Sequence, residues 1–103
     1  MAIRDPLRSD EVRRRLDALD GWDGDVHQIS KTFAVSYDSA IQIVTDIGAA
    51  AKELEHRPDI DIRWDRLRIA MTTHTAGDVV TELDFLLATR IDRIAEKYGA
   101  VTA

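Results

Sequence analysis

Glu55, His56 and Arg57 stand immediately before Pro58 and Asp59, and a second imidazole, His74, follows Thr72 and Thr73. Imidazole is the side chain whose unperturbed pKa lies nearest neutrality, so two of them at one cleft can serve as proton donor and proton acceptor. The chemistry these residues suit is acid–base catalysis. Each also has a structural role open to it: His56 as a cation at the negative end of a helix, His74 as the end of a strand. A metal site is the weaker rival. Two histidines with scattered carboxylates, no His-x-x-x-His and no cysteine make a poor ligand set, so no metal is expected. Ser36, Ser39 and Thr73 lack the spacing of a nucleophile elbow or triad, which sets covalent hydrolysis aside. The third histidine, His27, lies on a strand-like stretch with no partner near in sequence and reads as an exposed strand residue.

The two histidines are distant in sequence, so the elements between them must bring them together. From Ser9 onward, Val12, Leu16 and Leu19 recur at helical spacing with Gly21 as the stop, which predicts a short amphipathic helix. A turn-like Asp23-Gly24 then precedes a stretch in which Ile29, Phe33 and Val35 alternate with polar residues, a two-stranded element with a very short first strand. Ser36 is placed to cap a long central helix carrying Ile41, Val44, Ile47, Ala51 and Leu54; Pro58 forces that helix to stop near Arg57. Ile60, Ile62 and Trp64 alternate, as do Leu67, Ile69 and Met71, which predicts a hairpin. With Asp65 and Arg66 as a two-residue turn, Trp64 pairs with Leu67, Ile62 with Ile69 and Ile60 with Met71. Continued outward, the same register sets residue 57 against 74 and so returns His74 to the side of His56. It also sets Arg63 against Arg68, an unfavourable pair unless Asp61 or Asp65 screens it. Residues 74–80 read as a loop, and Leu83, Leu87, Ile91, Ile94 and Tyr98 mark a third helix ended by Gly99, with Thr81 and Asp84 spaced as a capping box. The expected fold is α+β, a four-stranded antiparallel sheet with helices packed on one face in the order α-β-β-α-β-β-α.

Composition bounds the rest. A chain of 103 residues, 45% hydrophobic and 32% charged, is expected to form one domain over residues 9–103, with residues 1–8 as a flexible lead-in to which no function is assigned. No apolar run approaches the roughly 18–20 residues of a membrane span, so no membrane partner is expected. The absence of cysteine excludes a disulfide scaffold, and the first residues lack a secretory apolar region, which together point to the cytoplasm. A formal charge of −5 lacks the basic field that phosphate backbones require, so nucleic acid is not an expected ligand.

The run KELEHRPDIDIRWDRLRIAMTTHTAGDVVTELDFLLA resembles the signature region of the pterin-4a-carbinolamine dehydratase family, small enzymes that remove water from 4a-hydroxytetrahydropterins. That family's pattern is a polar residue, three positions, His-His-Pro, an aromatic residue six beyond the proline, Thr-His ten beyond the aromatic, and an aspartate on the following helix. This chain supplies Lys52, His56, Pro58, Trp64, Thr73-His74 and Asp84, and the likeness extends over roughly residues 9–98. The resemblance implies a hydro-lyase without metal or organic cofactor. His56 and His74 would carry the protons, Thr73 and Asp84 would orient groups or touch substrate, and Glu55, Arg57 and Pro58 would line the pterin. It further implies a homodimer or homotetramer. Two departures stand out: Arg57 replaces the second motif histidine, and the family's Gly-Gly reads Gly77-Asp78, with one extra residue before Asp84. Arginine stays protonated and cannot shuttle a proton, although its donor fork can hold a substrate oxygen or a carboxylate. The alternative reading is therefore a dehydratase-like binding module, since relatives in this family act as dimerisation cofactors or assembly factors and fold alone does not separate the two roles.

Overall fold

The computed structural model describes residues 3–103; Met1 and Ala2, the start of the expected lead-in, lie outside the described residues. Helix α1 (Ser9–Asp17) buries Val12 and Leu16, and stops before Leu19, which leaves the helix but still packs on the core. Strand β1 (Asp23–Gly24) pairs antiparallel with β2 (Ile29–Ala34). A Cβ on Gly24 would stand 2.0 Å from the Gln28 carbonyl oxygen, so only glycine lets this hairpin close. Helix α2 (Tyr37–Leu54) begins where the Ser36 hydroxyl accepts from the Ser39 amide at 3.2 Å, as its sequence position implies. Strands β3 (Asp59–Arg63) and β4 (Arg66–Met71), helix α3 (Glu82–Lys97) and a two-residue strand β5 (Val101–Thr102) complete the chain.

The sheet is antiparallel in the order β1-β2-β4-β3, so β3 is an edge. The additional strand β5 pairs with Phe33 and Ala34 of β2. Alternation assigns the faces: Ile29 and Phe33 of β2 and Leu67, Ile69 and Met71 of β4 are buried, while Arg66 and Arg68 are exposed. Against the apolar face pack Ile43 and Ile47 of α2 and Leu87 and Ile91 of α3, all fully buried. Burying one such side chain contributes about 1.5–3 kcal/mol. Lys31, only 8% exposed, also points inward. Its ammonium donates to the Asp20 carbonyl and to Asp92, each at 2.9 Å, and the Trp22 indole donates to the same carboxylate at 3.0 Å. One aspartate on α3 thereby neutralises a buried cation and ties down the loop before β1. Among the described residues no helix is long and apolar enough to cross a membrane.

The hairpin register differs from expectation by two residues. Ile60 faces Ile69, Asp61 faces Arg68 and Ile62 faces Leu67, and the turn falls at Trp64-Asp65. A two-residue slip keeps every side chain on its original face, so the apolar pattern cannot distinguish the registers. Charge separates them only in part: the observed register sets Asp61 opposite Arg68 but moves the Arg–Arg pair to Arg63 and Arg66, where Asp61 and Asp65 screen the two guanidiniums at 3.1 and 3.3 Å. Trp64 is consequently a turn residue, 87% exposed and at φ 51, and Ile60 is 37% exposed on the edge strand. Met71 pairs with Ile29 of β2.

Candidate functional site

Helix α2 ends at a residue with reversed backbone hand. Glu55 lies at φ 52, ψ 44, a conformation costing a non-glycine residue about 1–2 kcal/mol, and the His56 amide closes on the Ala51 carbonyl at 2.9 Å. This reversal turns the chain under the helix, so His56 is buried at 6% exposure while Glu55 and Arg57 stay exposed and Pro58 is half-buried. Glycine is the residue expected at such a helix end; a glutamate there is retained against a backbone cost.

At the far end of β4 the chain closes a small loop. The Thr73 amide donates to the Val79 carbonyl at 3.0 Å and the Asp78 amide to the Thr73 carbonyl at 3.2 Å, around a 3₁₀ turn over His74–Ala76 within the segment expected as plain loop. Gly77 (φ 92) and Asp78 (φ 59) are both left-handed and fold the loop back on itself.

Helix α3 delivers the group that joins these two ends. The Thr81–Asp84 capping box forms as expected: the Asp84 carboxylate accepts from the Thr81 amide at 2.9 Å. Asp84 is fully buried. The oxygen taking that cap also accepts from the Thr73 hydroxyl at 2.8 Å, and the other oxygen lies 2.5 Å from His56 Nε2. A single carboxylate therefore connects the helix end carrying His56 to the strand end carrying His74. With Asp84 ionised, the Nε2 proton points at it and the neutral His56 ring keeps Nδ1 as its free nitrogen.

His74 sits differently, at the surface with 70% of its side chain exposed; its Nδ1 lies 2.6 Å from Asp78 Oδ1. Among the described residues no hydrogen bond links the two imidazoles; Asp84 reaches His56 and Thr73, the residue before His74, while the His74 ring is bonded to Asp78. The Thr72 hydroxyl, one residue before Thr73, is buried and has no hydrogen-bond partner among the described residues. A concavity of about 990 Å³ lies elsewhere, lined by Tyr37, Ile62, Arg63, Trp64 and Asp65 at the other end of the hairpin. Among the described residues no three His, Asp or Glu side chains are grouped to hold a metal ion.

The segment before α1, expected as a flexible lead-in, is bonded to both sides of this site. The Arg4 guanidinium lies 3.4 and 3.3 Å from the Leu54 and Glu55 carbonyls, and the Leu83 amide donates to the Ile3 carbonyl at 3.1 Å. The Leu7 amide donates to the Val80 carbonyl at 3.1 Å. Nothing in the apolar pattern announces these contacts. The Asp78 contact did leave a trace, an aspartate four residues beyond a histidine.

A family model described as pterin 4 alpha carbinolamine dehydratase matches residues 5–94. A Roseiflexus sp. (strain RS-1) protein carrying the provisional name pterin-4-alpha-carbinolamine dehydratase is 44% identical over 95 residues, covering 91% of this chain and 99% of its own. A Streptomyces avermitilis protein of the same provisional name is 35% identical over 97 residues, covering 93% and 96%. Among solved structures, the transcriptional coactivator/pterin dehydratase from Brucella melitensis superposes with a TM-score of 0.82 at 28% identity, over 88% of this chain and 99% of that one. A pterin dehydratase-like protein described as a RuBisCO assembly factor in the alpha-carboxysome shares the fold, with a TM-score of 0.57 at 24% identity over 72% and 86%.

Proposed function

Because the chain belongs to the pterin 4 alpha carbinolamine dehydratase family, we propose that it is a hydro-lyase acting on a 4a-hydroxytetrahydropterin in tetrahydropterin recycling. The C4a–O bond breaks, the hydroxyl leaves as water with an added proton, N5 gives up its proton, and the N5–H electron pair becomes the C4a=N5 bond of the quinonoid dihydropterin. One proton is given and one taken, so the reaction needs an acid and a base and no redox partner. The observation that carries this reading is the Asp84 carboxylate holding His56 at 2.5 Å and Thr73, the neighbour of His74, at 2.8 Å. Asp84 and Thr73 orient; both are buried and spent on each other. Glu55, Arg57 and Pro58 remain at the surface beside His56 to meet the polar edges of the ring. The left-handed Glu55, kept where glycine costs less, supports a use for its carboxylate. The chain works in the cytoplasm as a homodimer or homotetramer, a reading supported by the lack of cysteine and by the uncovered edge strand β3.

The test is a dehydration assay on the natural chain, His56→Ala and His74→Ala. Losing a general acid or base lowers the rate by about 10²- to 10⁴-fold. Three equal rates, above or at background, would overturn the mechanism. Arg57 favours one second reading, a dehydratase-like binding or assembly module. Arg57→His discriminates: a large gain from a near-zero start supports the module, and an already active natural chain supports the enzyme.

A further inference from the structure

We propose that Asp78 is a positioning residue that holds the His74 imidazole with its proton on Nδ1, leaving Nε2 as the proton acceptor of the site. The short contact comes first: Nδ1 and Oδ1 are 2.6 Å apart, and a carboxylate oxygen accepts, so in the neutral ring the proton lies on Nδ1. The backbone comes second. Gly77 at φ 92 and Asp78 at φ 59 are consecutive left-handed residues, and the Asp78 amide is bonded to the Thr73 carbonyl, so the loop returns the carboxylate to the ring four residues earlier. Aspartate is among the few non-glycine side chains that accept this conformation readily. Both partners are more than two-thirds exposed, so the contact adds little stability and its consequence is the orientation of the ring.

The two imidazoles are thus held by separate carboxylates through opposite nitrogens, His56 through Nε2 by Asp84 and His74 through Nδ1 by Asp78. Each presents the other nitrogen. In the proposed dehydration, which this part of the inference rests on, His74 Nε2 takes the N5 proton, while the proton leaving with the hydroxyl comes from Nδ1–H of His56 in its imidazolium form, whose Nε2–H stays on Asp84. Transfer of the N5 proton from His74 through solvent restores both. The tautomer itself does not depend on the identity of the substrate.

The experiment pairs two readouts on the full chain. ¹⁵N NMR of labelled histidine at about pH 8.5, above the ordinary imidazole range, is expected to report the Nδ1–H form for His74. Asp78→Gly, which leaves the backbone conformation accessible, should shift His74 towards Nε2–H and lower kcat by about tenfold with KM changed by less than about twofold. Asp78→Asn retains an accepting oxygen and should restore the Nδ1–H form and most of kcat. A natural chain with His74 as Nε2–H, or an Asp78→Gly chain unchanged in tautomer, overturns the proposal. Should the natural chain dehydrate no pterin, the pterin reading fails while the NMR comparison still decides the role of Asp78.

Discussion

Asp84 is the residue whose replacement separates structure from chemistry. Asp84→Ala removes the acceptor of three donors in a fully buried position: His56 Nε2–H, the Thr73 hydroxyl and the Thr81 amide. The Thr73 hydroxyl has a fallback partner, Thr81 Oγ1 at 2.8 Å, and costs little. The orphaned His56 N–H costs about 1–3 kcal/mol and the lost cap of α3 about 0.5–2 kcal/mol, or about 3 kcal/mol together. For a domain of this size that lowers Tm by roughly 12–24 °C. Asp84→Asn behaves differently. Its remaining oxygen can keep the Thr73 and Thr81 bonds, while its NH₂ faces His56 Nε2 and requires that nitrogen to accept, moving the ring proton to Nδ1. Stability should fall by less than about 1.5 kcal/mol, yet dehydration should fall as far as in His56→Ala, because an amide donating to Nε2 disfavours the imidazolium, and the Nδ1–H of a neutral ring is too weak an acid to protonate the hydroxyl. Thermal unfolding by circular dichroism and the dehydration assay measure the two effects separately. An Asp84→Ala chain melting with the natural one, or an Asp84→Asn chain of full activity, would refute the reasoning.

Two further outcomes follow from features away from the site. Trp64 occupies a left-handed turn position that asparagine adopts at lower cost, so Trp64→Asn should raise stability by about 1 kcal/mol; an unchanged or lower urea midpoint would contradict this. The Tyr98 phenol donates to Asp46 at 2.8 Å, which holds its pKa above the ordinary tyrosine value. The neutral phenol is the bonded form, so this contact between α3 and α2 is present at neutral pH and is lost as pH rises through the raised pKa. Ultraviolet titration should show that phenol returning to the ordinary range in Asp46→Ala, and an identical titration curve would remove the basis for the claim.

Much of this arrangement was legible in the residues because apolar period and punctuation act locally. Ser36 and Thr81 cap the helices they were expected to cap, and Ile29, Phe33, Leu67 and Ile69 turn to the core as their alternation requires. What the pattern could not give was whatever leaves the period unchanged. The hairpin slipped by two residues without changing the face of any side chain, and an Arg–Arg pair stands in either register, so neither period nor charge marks it alone. The left-handed Glu55 was invisible because helix ends are read from glycine, and no glycine stands there. His56 and His74 were singled out by residue type, but their unequal burial arises from the turn at Glu55 and from the loop at Gly77-Asp78, both properties of backbone hand rather than of composition. The Ile3 and Arg4 contacts join parts of the chain 50 or more residues apart, where no local signal reaches.

The two tryptophans occupy opposite environments. Trp22 is 4% exposed with its indole nitrogen bonded to Asp92, and Trp64 stands 87% exposed at the hairpin turn, roughly 20 Å along the strand from the histidines. The molecule therefore carries two natural fluorophores of distinct colour. Blue-side emission follows integrity of the interior, while red-side emission follows the hairpin tip, so one spectrum can tell global melting from a local event at that extremity.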